Sequence, residues 1–105
     1  MVDDDRSEAT DFLILRELEE PITEGELEAA GAKSGETLEE LRDEGVDIRW
    51  VESEVLTNGD GRIRGTFCHY RAESEGAVRE HAERAGLPAT RIYRRGEPLE
   101  GETDD

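Results

Sequence analysis

The chain has 105 residues and carries 29 acidic against 13 basic side chains, so that its formal net charge is −16. A chain of this length forms one domain with a modest core, and because only 33% of the residues are hydrophobic, that core must rely on Val, Ile, Leu and Ala. Nucleic acids and anionic membranes would both be repelled by such a charge, and neither is expected as a partner.

The acidic residues are spread along the whole chain, with apolar residues recurring between them, which argues against disorder and against an isolated acidic tail. Lys33 is the only lysine, and arginines supply the other positive charges. At about 1 M salt the Debye length is about 3 Å, so self-repulsion of such a surface is screened. The composition therefore predicts an acidic, halophilic protein.

Composition also bears on the compartment. Cys68 is the only cysteine, which excludes an intrachain disulfide and indicates a reducing environment. The first residues show neither the basic nor the apolar region of a secretory signal, and no apolar run approaches the ~20 residues of a membrane span. We expect a cytoplasmic protein.

Three segments are expected along the chain: an acidic flexible tail at 1–10, a folded domain at 11–95 and an acidic C-terminal tail at 96–105. The folded part starts with a continuous apolar run, Phe12–Leu15, which favours a central strand. A helix follows, because Thr23 and Glu26 have the spacing of a capping box. Gly45 ends that helix, and Gly31 inside it is expected to permit close packing on a sheet.

A β-hairpin comes next, turning at Asn58–Gly61, where the residues have strong turn chemistry. We expect Val55 to lie opposite Ile63. Since side chains alternate along strands, this register predicts one apolar face for the helices and a second, open face. The helix-side residues would be Val51, Val55, Ile63 and Phe67, together with His69. The open-face residues would be Ile48, Trp50, Glu52, Cys68 and Tyr70.

A second helix is predicted between Ser74, its N-cap, and Gly86, followed by a last strand at Thr90–Arg94. The order βαββαβ is that of an α+β, ferredoxin-like sandwich, in which a four-stranded antiparallel sheet carries two helices on one face. An open face that carries Trp50 and Tyr70 would not stay in water, so we expect a second copy to cover it, giving a sheet-mediated homodimer.

Catalytic and phosphate-binding motifs are absent, and no catalytic residue is assigned. Thiolate, imidazole and carboxylate donors together suit nickel, zinc or copper. An open-face site would use Cys68, Tyr70 and Glu52, whereas a helix-side site would use His81 and His69. The structural alternatives are that Cys68 is a small buried core residue and that His81 is simply packed in the core. Residues on opposite faces of one sheet cannot share a metal within one subunit, because ligand bonds are about 2.0–2.3 Å long, so only a sheet edge or a dimer boundary could unite the two sets.

Several segments, taken together, resemble a known family. They are the FLILRE strand, the IRWVESEV strand at 48–55, TFCHY at 66–70 and HAERAGLPATR at 81–91. They are similar to the small nickel-responsive, nickel-binding proteins long labelled a domain of unknown function. The matching positions are Trp50, Ser53, Cys68, Tyr70, His81, Gly86 and Pro88. The resemblance implies a ferredoxin-like homodimer that binds nickel and has no established reaction. Relatives often carry His and Tyr where this chain has Glu52 and Glu54.

The first hypothesis is therefore a dimeric nickel-binding or other transition-metal-binding protein that buffers or senses metal. Its metal ligands would be Cys68, His81, Tyr70 and Glu52. The alternatives are a small-molecule enzyme, with Trp50 and Tyr70 lining a pocket between sheet and helices and His81 as the base, and a non-catalytic structural or regulatory dimer. Fold analogy alone supports the enzyme.

Overall fold

A computed structural model of the chain describes residues 9–102. It contains β1 (Thr10–Ile22), α1 (Glu24–Asp43), β2 (Ile48–Thr57), β3 (Ile63–Ala72), α2 (Glu75–Ala85) and β4 (Arg91–Arg94). The strands form one antiparallel sheet in the order β2-β3-β1-β4, and both helices pack on one of its faces. The predicted α+β, ferredoxin-like fold is confirmed. Of the predicted acidic tails, residues 1–8 and 103–105 lie outside the described part of the chain, and residues 96–102 form no helix or strand.

Helix boundaries follow the predicted capping chemistry. Glu26 donates its backbone N–H to Thr23 Oγ1 at 3.1 Å, and Thr23 returns its own N–H to Glu26 Oε1 at 2.9 Å, which completes a capping box at the start of α1. Ser74 caps α2 by accepting from the backbone of Ala77 at 3.1 Å. Gly45 and Gly86, with φ of 94° and 72°, take the left-handed conformation that ends each helix.

The predicted hairpin register is wrong by two residues. Thr57, not Val55, lies opposite Ile63, so five residues rather than seven separate the two members of this pair. A bulge also interrupts β2, because Trp50 pairs with Tyr70 and the next pair joins Glu52 to His69. An extra residue in one strand changes which face the following side chains occupy.

A two-residue shift leaves the parity of the side chains unchanged, but the face prediction fails, because the helices cover the opposite side of β3 from the one predicted. Ile48, Cys68 and Tyr70, predicted on the open face, are 0%, 5% and 3% exposed and belong to the core under the helices. Phe67 and His69, predicted under the helices, lie on the other side of the sheet by strand alternation. Burial of the larger apolar set, including Phe12 and Ile14 of β1, favours the observed arrangement.

We call the helix-packed side the covered face, and its buried residues form one cluster with both helices. The strand members are Phe12, Ile14, Ile48, Cys68, Tyr70 and Ala72, and the helix members are Leu38, Leu41, Ala77 and Val78. Neither helix in the described part has an apolar stretch long enough to cross a membrane.

The opposite side, the uncovered face, has no helix of residues 9–102 packed against it. Pairing places a row of apolar side chains there, Leu13, Leu15, Leu56, Phe67 and Tyr93, alongside His69, Glu52 and Glu54. Tyr93 is 51% exposed. The predicted open face therefore exists, but most of its residues differ from the predicted ones.

Candidate functional site

A cleft of about 350 Å³ lies between α1 and the covered face. We refer to it as the cleft. The sheet contributes Arg16, Trp50, Ser53, Val55, Thr66, Cys68 and Tyr70, and α1 contributes Leu27, Ala30, Gly31, Ser34, Gly35 and Leu38, with Leu87 completing the wall. Its volume falls within the range of about 300–1,000 Å³ that is usual for small-molecule sites.

Small residues of α1 hold the cleft open. A Cβ atom added to Gly31 or Gly35 would meet nothing within 4 Å, so neither glycine packs against the sheet. The predicted close packing at Gly31 is wrong. Each glycine lowers the stability of the helix by up to about 1 kcal/mol relative to alanine. At both positions the glycine borders the empty space of the cleft and makes no close contact with the sheet.

Arg16 occupies the sheet wall of the cleft and is 4% exposed. Its Nη1 donates to the backbone oxygen of Pro88 at 2.8 Å, and its guanidinium carbon lies 5.7 Å from the centre of the Tyr70 ring. Nη2 is buried and has no hydrogen-bond partner among the described residues. A buried cation of this kind is rarely left unpaired.

His81 lies behind this wall and is fully buried. Its Nε2 is 3.0 Å from Ser34 Oγ, and its ring centroid is 5.3 Å from that of Tyr70, so it joins α1, α2 and β3. Burial, with a contribution from the Arg16 charge, lowers the pKa of His81 to about 4 and keeps the ring neutral at pH 7. His81 does not line the cleft. The enzyme hypothesis therefore has its pocket, but His81 has no direct access to it.

Cys68 and Tyr70 both line the cleft. The Cys68 sulfur lies 3.3 Å from Thr66 Oγ1. Burial raises the pKa of the Tyr70 hydroxyl, and the nearby Ser34 and Arg16 offset part of this shift. Three predicted metal ligands, Cys68, Tyr70 and His81, thus lie on the covered side of the sheet. The fourth, Glu52, lies on the uncovered face.

The uncovered face has its own cluster of donors. His69 Nε2 is 2.8 Å from Asp11 Oδ1, Glu52 lies opposite His69 across the strand pair, and Glu54 follows one pleat further along. This hydrogen bond to His69 is the main reason that the pKa of Asp11 is lowered, with Arg71 adding a smaller effect. A depression of about 180 Å³ adjoins Glu52, Glu54 and His69.

Neither face offers a complete metal site within one chain. Among residues 9–102, no group of three or more His, Cys, Asp or Glu side chains is placed to hold a metal ion. The residues that line the cleft include no carboxylate and contain the Arg16 cation, which would repel a divalent ion, while Arg71 and Arg95 lie near the donors of the uncovered face. The uncovered face supplies the imidazole of His69 with Asp11 as an orienting carboxylate, and the carboxylate of Glu52. These donors amount to part of a metal site.

Sequence reasoning missed Arg16 and Asp11. The strict alternation of Phe12, Ile14 and Arg16 along β1 was the available signal, because it places the arginine on the same face as two core residues. No sequence pattern identified Asp11, because its partner His69 is 58 residues away in the chain.

Comparison with known proteins gives one family. No curated protein and no solved structure matches the chain. The family described as "Nickel responsive protein SCO4226-like" matches residues 12–94, which include every strand and helix of the sandwich except the first two residues of β1. The chain therefore belongs to the SCO4226-like family of nickel responsive proteins, as the resemblance of its strand motifs predicted.

Proposed function

We propose that this protein binds nickel, or a similar late transition-metal ion, as a homodimer whose two sheets meet through their uncovered faces. Membership of a nickel responsive family supports the metal. The apolar row on the uncovered face supports the dimer, because a side chain such as Tyr93, 51% exposed, gains by being covered. A two-fold axis would bring the same surface of both copies together.

The observation that carries the proposal is the His69–Asp11 pair on that face. Asp11 holds one ring nitrogen of His69 at 2.8 Å, and a carboxylate in this position typically orients a metal-binding imidazole and raises its basicity. Glu52, opposite His69, adds an oxygen donor. One copy offers an incomplete set, and a second copy would double it.

This proposal divides the four metal ligands predicted from sequence between the two faces of the sheet. Glu52 is retained as a ligand, and His69 joins it. Cys68, Tyr70 and His81 remain the competing set, on the side of the sheet that contains Arg16. The two sets are separated by the sheet, so substitution can test them independently.

Nickel titration by calorimetry, in buffer of high salt concentration, compares the two sets. We expect wild type and the Cys68→Ser, His81→Gln double variant to bind nickel with similar affinity, while His69→Ala, Glu52→Gln loses binding. Circular dichroism checks that each variant is folded. Loss of binding in the covered-side variant alone would reject the uncovered-face site and favour the sequence-predicted ligands.

The orienting role of Asp11 gives a finer test. Asp11→Asn should lower nickel affinity by about tenfold, because removal of such a partner typically costs 10–100-fold. Arg64→Gln, which breaks an exposed ion pair with Asp60 at the hairpin, is the control and should leave nickel affinity unchanged. Equal affinities of the Asp11 variant and wild type would show that His69 does not bind the metal.

Sedimentation equilibrium at several salt concentrations tests the dimer. We expect a dimer whose stability increases with salt, because two copies that each carry −16 repel each other at low ionic strength. Leu15→Glu, which adds charge to the uncovered face, should give monomers. A monomeric wild type at every salt concentration would refute the interface.

A further inference from the structure

The cleft differs in charge from the rest of the molecule. The chain carries 29 acidic residues among 105, yet none of the residues lining the cleft is Asp or Glu. Among the described residues that line it, the one charged group is the guanidinium of Arg16. Because this charge is itself buried at the wall of an apolar cleft, it is less screened by water than a surface charge, and the cleft favours an anion.

Among the described residues, Arg16 lacks the carboxylate partner that Arg64, Arg71, Arg79 and Arg84 have. Arg84, on the surface, has carboxylate oxygens of Glu40, Glu44 and Glu80 within 4.0 Å. Arg16 is far more deeply buried, and no carboxylate of the described residues lies within that distance of it. A buried charge without a partner is costly. Together with the unpartnered Nη2, this indicates an acceptor supplied from outside the chain.

The remaining walls indicate the body of such a ligand. They are mostly apolar, with the aliphatic side chains of Leu27, Leu38 and Leu87 and the ring of Tyr70. Trp50, 56% exposed, also lines the cleft, and its indole N–H donates to Ser53 Oγ at 2.8 Å. An apolar cleft with one polar anchor is the usual form of a small-molecule site.

We propose that the cleft binds a small organic carboxylate, with an aromatic or aliphatic body between α1 and the sheet and its carboxylate on Arg16. One guanidinium with one free nitrogen matches a monoanion. This site is independent of the metal, because it lies on the opposite side of the sheet from His69. The empty space beside Gly31 and Gly35 is then the volume that the body of the ligand fills.

The test uses 3-phenylpropionate as the probe and its neutral amide, 3-phenylpropanamide, as the matched control. Trp50 is the only tryptophan and lines the cleft, so its fluorescence reports binding. We expect the carboxylate to change this fluorescence in a saturable way and the amide to bind at least about tenfold more weakly. The absence of any saturable binding at millimolar concentration, or equal affinity for the amide, would overturn the proposal.

Two variants locate the site. Arg16→Gln should weaken carboxylate binding by about tenfold to a hundredfold, the usual loss for a hydrogen bond to a charged group, and should leave the amide unaffected. Gly31→Leu fills the cleft while improving helix propensity, so it should fold and bind neither probe. The matched control is Ala29→Leu, which adds the same side chain to an exposed position of α1 outside the cleft.

The proposal can be tested even if one of the variants is unstable. Should Arg16→Gln fail to fold, the comparison of carboxylate with amide still tests the role of the ligand's charge, and the Gly31→Leu variant still tests the position of the site. Unchanged carboxylate affinity in folded Arg16→Gln, or in Gly31→Leu, would show that the cleft is not the binding site. Nickel titration of Gly31→Leu should match that of wild type, which separates failure here from failure of the metal proposal.

Discussion

The two faces of the sheet are built from the same strands but hold different charged groups. On the covered face, Arg16 is a buried cation with no carboxylate partner among residues 9–102, and the residues lining the cleft beside it include no acid. On the uncovered face, His69 is hydrogen-bonded to Asp11 and pairs across the strands with Glu52, and Arg71 and Arg95 lie close by. Strand alternation alone separates them, because neighbouring residues point to opposite sides. A thin domain can therefore offer a cation and an anion separate sites, with the sheet between them.

The largest effect should come from comparing two neighbours in β1. Ile14 is fully buried on the covered face, and Leu13 is half-buried on the uncovered face. Ile14→Ala should lower the free energy of unfolding by about 2–5 kcal/mol, because it leaves a cavity in the core. Leu13→Ala should cost about 1 kcal/mol at low protein concentration. Urea denaturation at fixed salt measures both.

Protein concentration sharpens this comparison. If the uncovered face forms the dimer, the cost of Leu13→Ala should grow with protein concentration, because association stabilises only the folded state that associates. The cost of Ile14→Ala should stay large throughout. Equal losses of unfolding free energy for the two variants at every protein concentration would show that the two faces are buried to the same extent.

The second prediction concerns pH and His81. Its pKa is about 4 in the folded protein against an ordinary value of 6.5, so the unfolded chain binds the extra proton between these values. Stability from the neutral, buried ring is complete above about pH 6.5 and is lost as the pH falls towards 4. The full loss is about 3 kcal/mol. Thermal or urea unfolding from pH 7.5 to 4 measures it.

The control for this prediction is His81→Gln, which keeps a polar group facing Ser34 but does not titrate. Protonation of surface acids at low pH relieves repulsion in both proteins, so the difference between the two curves isolates the histidine. We expect that difference to shrink as the pH falls below 6.5. Parallel curves would show that His81 is accessible to water in the folded state.

The fold could be predicted because its signals are local. Thr23 with Glu26, Ser74, Gly45 and Gly86 mark the helix ends through bonds or dihedral angles within a few residues. The order of elements then leaves few topologies. The hairpin register could not be predicted in the same way. A bulge after Trp50 is set by packing across the sheet, and the side of the hairpin that the helices cover is likewise decided by tertiary packing.

The candidate sites were less predictable because they depend on contacts between distant parts of the chain. Cys68 and Tyr70 were noticed as rare residue types, but whether they lie under the helices depends on which side of the sheet the helices pack against. Arg16 directly follows the apolar run Phe12–Leu15, and only the structure, with its contacts to Pro88 and Tyr70, shows that it is buried. Sequence composition therefore identified candidate residues, while the tertiary structure decided which of them could act together.

The prediction that links stability to the position of one side chain concerns Gly65. This residue pairs with Glu17, and a Cβ atom placed on it would collide with the backbone oxygen of Arg16. Gly65→Ala must push β3 and β1 apart at the point that positions Arg16, with an expected loss of about 1–3 kcal/mol in unfolding free energy. Gly96→Ala, where a Cβ meets nothing within 4 Å, is the control and should be neutral. Because the displaced strand carries the guanidinium, binding of 3-phenylpropionate should weaken in the folded Gly65 variant while nickel binding on the other face persists. A Gly65→Ala protein that bound both probes as wild type does would show that the close approach of these strands does not set the position of Arg16.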